Sequence, residues 1–187
     1  MKKVIIVHGW GGSSEDNWVP WIKQELKNRG FDAVALDMPN TEKPEIKKWV
    51  GFLKSNVKSL DENTFFIGHS VGCQAILRYL EKMNKKVGGV VLVAPWMHLD
   101  KKTIEEEGEE SVKISKPWME TPIDFKKVKK LSKFVCILSD NDPYVPLSDA
   151  KLFKKELNAE IVVEHKEEHF TEEKYDMILN KFLEMAR

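Results

Sequence analysis

Residues 64 to 72 read TFFIGHSVG, an apolar run that ends in a serine with a glycine two positions to either side. The apolar part predicts a buried strand, and the helical spacing of apolar residues from Val71 to Met83 predicts a helix. A strand that passes directly into a helix needs a sharp turn, and Gly68 and Gly72 would let the two elements approach closely. The stretch therefore predicts a strand–turn–helix unit with the hydroxyl of Ser70 at its turn.

The rest of the chain repeats this alternation of strand and helix. Because each of six short apolar runs is nearly continuous, we expect a parallel sheet covered by helices on both faces. The fold class is therefore α/β, a compact doubly wound sheet of about six parallel strands in a single domain, residues 1–187. The predicted strands are Val4–Val7, Ala33–Leu36, Phe65–Ile67, Val90–Val93, Phe134–Leu138 and Ile161–Val163, and the predicted helices are Trp18–Arg29, Glu45–Val57, Val71–Met83, Leu147–Leu157 and Glu172–Met185.

Composition narrows the class of protein and its partners. The 187 residues are 42% hydrophobic with a mean hydropathy of −0.41, and 30 Lys+Arg balance 30 Asp+Glu. Zero net charge does not favour a nucleic-acid partner, and no apolar stretch approaches the length of a membrane span. The apolar run after the N-terminal lysines is too short for a signal peptide, and Cys73 and Cys136 cannot form a disulfide framework. We expect a cytoplasmic protein without a membrane or nucleic-acid partner.

The pattern Gly-x-Ser-x-Gly between a strand and a helix is typical of the nucleophile elbow of serine hydrolases. Such a turn holds the serine Oγ above the sheet and points the first N–H groups of the helix at whatever the hydroxyl attacks. Ser70 is the candidate nucleophile, and the Val71 N–H is the first candidate donor of an oxyanion hole. Two alternatives stay open: Ser70 only caps the helix, or Cys73 is the nucleophile, although burial would make its thiol unreactive.

A second glycine-rich loop follows the first predicted strand. It reads HGWGG over residues 8–12 and is of the kind that supplies the other oxyanion donor, for which the Trp10 N–H is the candidate. Glycine-rich loops also bind phosphates, but neither G-x-G-x-x-G nor G-x-x-x-x-G-K-[ST] is present. In a doubly wound sheet the first and third strands are neighbours, and ligands bind at their carboxyl ends. The two loops therefore meet only if the sheet has this order.

A serine nucleophile needs a base, and the base needs a carboxylate that orients it. In hydrolases with this elbow the chain order is Ser, then Asp or Glu, then His. The fifth predicted strand is followed by Asp140 and Asp142, and Pro143 holds Asp142 in an extended conformation. Asp142 is the preferred acid, whereas Asp140 is better placed to cap the local turn. Both carboxylates could also serve the turn alone.

Five histidines compete for the role of base. His8 and His69 lie inside the two glycine motifs and are expected to be structural, and His98 precedes every candidate acid. His165 ends the sixth predicted strand, whereas His169 lies in the loop beyond it. A loop residue can reach back over the sheet, so His169 is the preferred base; the alternative is a surface histidine without a role.

With these positions assigned, the whole chain resembles a small α/β-hydrolase of the serine hydrolase family that includes retinoblastoma-binding protein 9. The resemblance lies in HGWGG, GHSVG, VLVAPW, PIDF, SDNDPYVP and EHF. It implies a catalytic triad of Ser70, Asp142 and His169 that needs neither a metal nor another cofactor. One position departs from the family: Glu168 stands before the histidine, where a glycine is usual.

The segment from Trp96 to Phe125 breaks the strand–helix alternation. It is charged and then aromatic, contains no clear strand, and its run EEEGEE is expected to be solvated surface. It is too short for a large lid, so Trp96 and Trp118 are predicted to wall a short substrate pocket. The expected function is hydrolysis of a small carboxylic ester. The alternative is a protein-interaction module, in which Trp96, Trp118, Met97 and Met119 form an exposed apolar surface for a protein partner.

Overall fold

One sheet of six parallel strands forms the centre of the computed structural model, which describes residues 1–187. The predicted strands are all present, each longer by one to three residues. Their bounds are β1 (Lys3–Val7), β2 (Asp32–Leu36), β3 (Thr64–His69), β4 (Gly89–Val93), β5 (Phe134–Ser139) and β6 (Glu160–Glu164). The strand order is β2-β1-β3-β4-β5-β6, and every neighbouring pair is parallel.

The eight helices cover both faces of this sheet. The helices are α1 (Val19–Asn28), α2 (Ile46–Asn56), α3 (Val71–Met83), α4 (Lys101–Glu106), α5 (Glu109–Glu120), α6 (Phe125–Val128), α7 (Ser148–Leu157) and α8 (Asp176–Met185). Alternate side chains of one strand enter opposite cores: Ile5 packs with α2 and α3, whereas Val4 and Ile6 pack with α1 and α8. This explains why the strands are apolar along their whole length. No helix combines the length and the apolar character that crossing a membrane requires.

The strand order brings the two glycine-rich loops together. From β1 the chain moves outward to β2 and returns to β3 on the other side of β1, so that Val7 pairs with Gly68 at the carboxyl edge. The loop after β1 and the turn after β3 therefore lie side by side. The expected α/β-hydrolase sheet and its switch point are confirmed.

One helix prediction needs correction, and one segment contains helices that were not predicted. The last helix begins at Asp176 and not near Glu172, because the chain first makes a turn in which the Glu172 N–H donates to the Tyr175 hydroxyl. The segment after Trp96 is mostly helical, since it forms α4, α5 and α6. The acidic side chains of its EEEGEE run are exposed, as predicted.

Candidate active site

The turn between β3 and α3 has the geometry that the opening motif predicts. Ser70 has φ 51° and ψ −123°, a strained conformation for a residue with a side chain, and α3 begins directly after it. A Cβ on Gly72 would lie 2.5 Å from the His8 main-chain oxygen, and one on Gly68 would lie 3.0 Å from the Cys73 main-chain N and Cα. Position 72 therefore excludes a larger residue and position 68 leaves little room for one, so the two glycines allow the strand and the helix to pass close to the serine turn.

Two main-chain N–H groups beside Ser70 are unused. Val71 is the first residue of α3, so its N–H has no partner within the helix. Among the loops and turns, no main-chain bond comes from the N–H of Val71 or of Trp10. A Cβ on Gly9 would lie 3.3 Å from Ser70 Cβ, so the His-Gly loop lies directly against the elbow. Both predicted donors are thus free at the carboxyl edge of the sheet.

The loop that contains Trp10 is held from the side of β2. The Trp10 indole N–H donates to the main-chain oxygen of Glu42 at 3.0 Å, and the Gly11 N–H donates to Thr41. His8 bridges the same two regions, since its Nε2 accepts from the Met38 N–H and its Nδ1–H donates to the Gly9 oxygen. Burial lowers the pKa of His8, which keeps the ring neutral for this bridge. The role of His8 is structural, as expected.

His169 and Asp142 meet in the interior of the site. Nδ1 of His169 lies 2.8 Å from Oδ2 of Asp142, and the two side chains are only 15% and 2% exposed. The other carboxylate oxygen of Asp142 accepts from the N–H groups of Tyr144 and Val145, at 2.9 and 3.0 Å. The carboxylate is therefore fixed by its own turn and presents one oxygen to the imidazole.

Side chains at the end of β5 and in the loop after it accept hydrogen bonds from main-chain N–H groups of the loop after β6. Oγ of Ser139 accepts from the Glu167 N–H, and Oδ1 of Asn141 accepts from the Glu168 N–H, at 3.0 and 2.9 Å. Ser139 also donates its hydroxyl to Asn141. These bonds hold the loop after β6 (residues 165–170, the histidine loop) against the loop after β5 (residues 140–147, the acid loop), directly beside His169.

The rival acid and the rival base pair with one another at the outer end of these loops. Nδ1 of His165 lies 2.6 Å from Oδ2 of Asp140, whose other oxygen accepts from the Lys166 N–H at 3.0 Å. Hydrogen bonds from Lys166 and then from His165 lower the pKa of Asp140. The structure thus gives Asp140 a loop-holding role and places it away from His169.

The histidine loop has an unusual backbone. Lys166, Glu168 and Phe170 have φ of 61°, 46° and 58°, which is the left-handed region. A glycine adopts this conformation without steric cost, whereas a residue with a Cβ does not. This explains why glycine suits the position of Glu168, and it shows that this chain forms the turn with glutamate as well.

One imidazole N–H and one indole N–H donate hydrogen bonds to the main chain of this loop. Nε2 of His69 lies 2.8 Å from the main-chain oxygen of His169, and Nε1 of Trp18 lies 3.1 Å from that of Phe170. The His69 ring also packs against the His169 ring, with centroids 5.1 Å apart. Since His69 directly precedes Ser70, this contact places His169 next to the elbow.

Trp96 contacts the candidate nucleophile itself. Its indole Nε1 donates to Oγ of Ser70 at 3.3 Å, and its side chain is buried.

The chain after Trp96 is held by Asp149, whose carboxylate accepts from the Met97 and His98 N–H groups and from Nδ1 of His98. His98 therefore does have a carboxylate partner, but this pair lies outside the loops that hold His169.

Trp118 lies in α5, within the segment from Trp96 to Phe125 (the insertion). It packs in the core together with side chains of α2 and α3. Its indole N–H donates to the main-chain oxygen of Pro44 at 2.9 Å, and its ring packs edge-on against Trp49. The buried guanidinium of Arg78 lies 5.9 Å from the Trp118 ring and donates to the main-chain oxygens of Trp118 and Thr121. These contacts fasten the end of α5, and none of them involves Ser70, so a pocket role for Trp118 stays a prediction.

The alternative of an exposed apolar surface for a protein partner does not fit this region. Trp96, Trp118 and Met97 are 1%, 1% and 7% exposed and belong to the same hydrophobic core as the buried side chains of α2 and α3. Met119 is partly buried against the same core. The prediction that these four side chains form an exposed patch is therefore wrong.

The insertion touches the loops on both sides of the site. Near β5, the hydroxyl of Tyr144 donates to Glu107 at 3.0 Å, and its ring packs edge-on against His169 with centroids 5.1 Å apart. Near β2, Lys43 pairs with Glu110 at 2.5 Å. The segment thus spans the carboxyl edge of the sheet.

The rival nucleophile Cys73 is enclosed in α3. It has no exposed surface, and its Sγ lies 3.3 Å from the main-chain oxygen of Val93. Burial raises the pKa of this thiol well above its usual range, so it stays protonated and unreactive.

Sequence reasoning did not identify the contact partners of the site residues. Ser139 and Asn141 belong to a run of four polar side chains after β5, SDND, and such a run at a strand end could have indicated a loop anchor. Nothing in the local sequence indicates that His69 reaches His169, because these residues are 100 positions apart.

Two known proteins are similar in sequence to most of this chain. The YdeN protein of Bacillus subtilis (strain 168) is 29% identical over 197 residues, covering 100% of this chain and 99% of its own length. Serine hydrolase RBBP9 of Rattus norvegicus is 29% identical over 166 residues, covering 81% of this chain and 83% of its own.

Solved structures show the same similarity. The crystal structure of the ydeN gene product of B. subtilis has a TM-score of 0.87 at 28% identity, with 99% and 98% of the two chains covered. A carboxylesterase structure from Nitrososphaera gargenis, with a TM-score of 0.77 at 17% identity, covers 98% of this chain and 90% of its own and shares the fold. The family model described as Serine hydrolase matches residues 4–176. The chain therefore belongs to the serine hydrolase family that includes Serine hydrolase RBBP9.

Proposed function

We propose that this protein hydrolyses small carboxylic esters with Ser70 as nucleophile, His169 as base and Asp142 as the orienting acid. The observation that supports this most is the 2.8 Å bond between His169 Nδ1 and Asp142, formed in the interior next to the serine elbow. With Nδ1 engaged by the carboxylate, Nε2 is the nitrogen left to exchange a proton with the serine.

The first half of the reaction forms an acyl enzyme. Oγ of Ser70 attacks the carbonyl carbon of the ester while Nε2 of His169 accepts the hydroxyl proton. The negative charge that develops on the carbonyl oxygen is stabilised by the free N–H groups of Trp10 and Val71. Asp142 stabilises the imidazolium, which then returns the proton to the departing alcohol.

The second half of the reaction releases the acid. A water molecule loses a proton to His169 and attacks the acyl carbon, and the same two N–H groups stabilise the second tetrahedral intermediate. Breakdown of that intermediate returns the proton to Oγ of Ser70. Trp96 donates its indole N–H to Oγ of Ser70, and this contact is the reason for proposing its ring as a neighbour of the acyl group.

The proposed substrate is small because the segment over the site is short and firmly attached. Its helices α4 and α5 have six and 12 residues, and Arg78 and Trp118 hold α5 to the core. Each buried CH₂ contributes about 0.8 kcal/mol only while the pocket has room for it. With p-nitrophenyl esters from acetate to palmitate, kcat/KM should increase over the first few acyl carbons and then level off. A steady increase to the longest chain would contradict the small-ester proposal.

A fluorophosphonate probe tests the nucleophile directly. The intact mass of the parent protein should increase by one adduct, and Ser70→Ala should show none, because only an activated serine reacts quickly with the probe. Cys73→Ala is the matched control in the same helix and should be labelled like the parent. An adduct on Ser70→Ala would refute the assignment, as would a parent protein that does not react.

A further inference from the structure

His69 connects the two residues on which the proposed function depends. It directly precedes Ser70 in the chain, and its Nε2 lies 2.8 Å from the main-chain oxygen of His169. A carbonyl oxygen can only accept, so Nε2 must bear a hydrogen and donate it. One hydrogen bond thus joins the strand end before the nucleophile to the backbone of the base.

The surroundings of His69 hold its ring in this orientation. It is buried between Trp18 and His169, with ring centroids 5.7 and 5.1 Å away. On the other edge of the ring, a Cβ on Gly9 would lie 3.1 Å from Nδ1, so the glycine-rich loop of residues 8–12 closes that side. Burial, with a smaller effect of His169, lowers the pKa of His69 to about 3, so the ring is neutral near pH 7.

The backbone that His69 holds is one that needs support. Glu168 and Phe170, on either side of His169, both have left-handed φ angles. Such angles are unfavourable for residues with a Cβ and persist when surrounding contacts determine them. The His69 donor therefore acts where the histidine loop has most tendency to relax into another conformation.

We propose that His69 is a positioning residue, whose Nε2–H fixes the imidazole of His169 at the distance from Ser70 that proton transfer requires. The proposal rests on the function proposed above for Ser70 and His169. His69 would itself exchange no proton in the reaction. Its contribution would be to the geometry of the base, and a displacement of about 1 Å at such a site can reduce turnover roughly a hundredfold.

Two substitutions with side chains of similar length distinguish the effect of losing the N–H donor from the effect of changing the side-chain volume. His69→Gln keeps an N–H near the position of Nε2, whereas His69→Met fills similar space without a donor. We expect His69→Met to reduce kcat roughly tenfold to a hundredfold with KM little changed, and His69→Gln to recover most of the loss. Equal kcat values for the two variants would overturn the proposal, as would a loss confined to KM.

Proton NMR provides a readout that needs no substrate. The hydrogen that His169 Nδ1 shares with Asp142 should give a downfield resonance that is retained in His69→Gln and broadened or shifted in His69→Met. An unchanged resonance in His69→Met would overturn the proposal. Should that variant not fold, ¹⁵N NMR of the parent protein decides: Nε2 of His69 must be protonated and Nδ1 unprotonated from pH 7 to pH 5, and any other state overturns it. Ester hydrolysis that survives Ser70→Ala would instead show that the proposed function, and not the positioning role alone, is wrong.

Discussion

Two histidine–carboxylate pairs lie in the same pair of loops, and their contrast defines the site. At the inner end His169 bonds to Asp142 at 2.8 Å, and at the outer end His165 bonds to Asp140 at 2.6 Å. The inner side chains are 15% and 2% exposed, whereas the outer ones are 73% and 36% exposed. Similar bond lengths therefore occur in very different environments.

The comparison teaches that a histidine–aspartate hydrogen bond does not by itself mark a catalytic pair. An exposed pair interacts through water and contributes little, whereas a buried pair interacts in a medium of lower dielectric constant. The inner pair also has neighbours that the outer pair lacks, since His69 and Tyr144 both pack against the ring of His169. Burial and these contacts are the features on which the proposed proton-transfer role of the inner pair rests.

The strongest test of the comparison removes each histidine in turn. We expect His169→Ala to reduce kcat on the order of 10⁵-fold, because the nucleophile loses its base, and His165→Ala to leave kcat within about threefold. Ester hydrolysis and fluorophosphonate labelling both measure the difference. Activity retained in His169→Ala would remove the distinction between the two pairs.

Replacing the carboxylates gives the next largest difference. Asp142→Asn should reduce kcat on the order of 10⁴-fold, since an amide in its place favours the wrong tautomer of the imidazole. Asp140→Asn should reduce kcat less than about tenfold, because it loosens the loop and leaves the base in place. Circular dichroism should show both variants folded. If the two kinetic effects were exchanged, Asp140 would be the acid.

The dependence of the free energy of unfolding on pH compares His69, which packs on the inner pair, with Asp140 of the outer pair. This measurement needs no substrate. The pKa of His69 is lowered from 6.5 to about 3, so the unfolded chain takes up a proton that the folded protein does not. The free energy of unfolding should therefore fall by up to about 1.4 kcal/mol per pH unit below pH 6.5, with His8 contributing in the same direction.

Asp140 of the outer pair should contribute only at lower pH. The pKa of Asp140 is lowered from 3.8, so its stabilising effect is present above that pH and is lost as pH falls through the folded-state pKa. Urea unfolding between pH 7 and pH 4 should thus have a shallower pH dependence in His69→Gln, and the same slope as the parent in Asp140→Asn. An unchanged slope in His69→Gln would contradict a buried neutral ring.

The smallest expected effect concerns Glu168, which lies between His165 and His169 in the histidine loop. Glu168→Gly relieves a left-handed φ of 46° but makes the unfolded chain more flexible, so unfolding free energy should change by less than about 1 kcal/mol. Glu167→Gly, the neighbouring control without a positive φ, should destabilise by about 0.5–1 kcal/mol. Equal destabilisation by both substitutions would show that the turn does not favour glycine at position 168.

The sheet was predictable from sequence because its determinants are local. Each strand is a continuous apolar run, and an element such as Val4–Val7 must be buried on both faces whatever its neighbours are. The start of α8 was not predictable, because it depends on the hydrogen bond between Glu172 and the Tyr175 hydroxyl. Helix α5 of the insertion was missed for a similar reason, because Arg78 and Trp118 hold its end through contacts with distant parts of the chain.

The candidate site likewise contains one residue that a local motif identified and residue pairings that no local motif specified. Ser70 was identifiable because its strand, its two glycines and its helix lie within one short stretch, and their close packing is a local steric requirement. Choosing Asp142 over Asp140, or His169 over His165, rested on chain order and loop position, since residues of the same type stand two and four positions apart. The pairing of these residues depends on how two loops meet, which no local pattern specifies.

The sequence by itself determined the α/β class, the order of the strands along the chain and the elbow serine, because periodicity and steric limits act between near neighbours. Only the tertiary structure decided which carboxylate faces which histidine, that Trp96 donates to Ser70, and that His69 supports the backbone of His169. These contacts join segments separated by 26 to 100 residues, and they exist only where packing brings the carboxyl ends of parallel strands together.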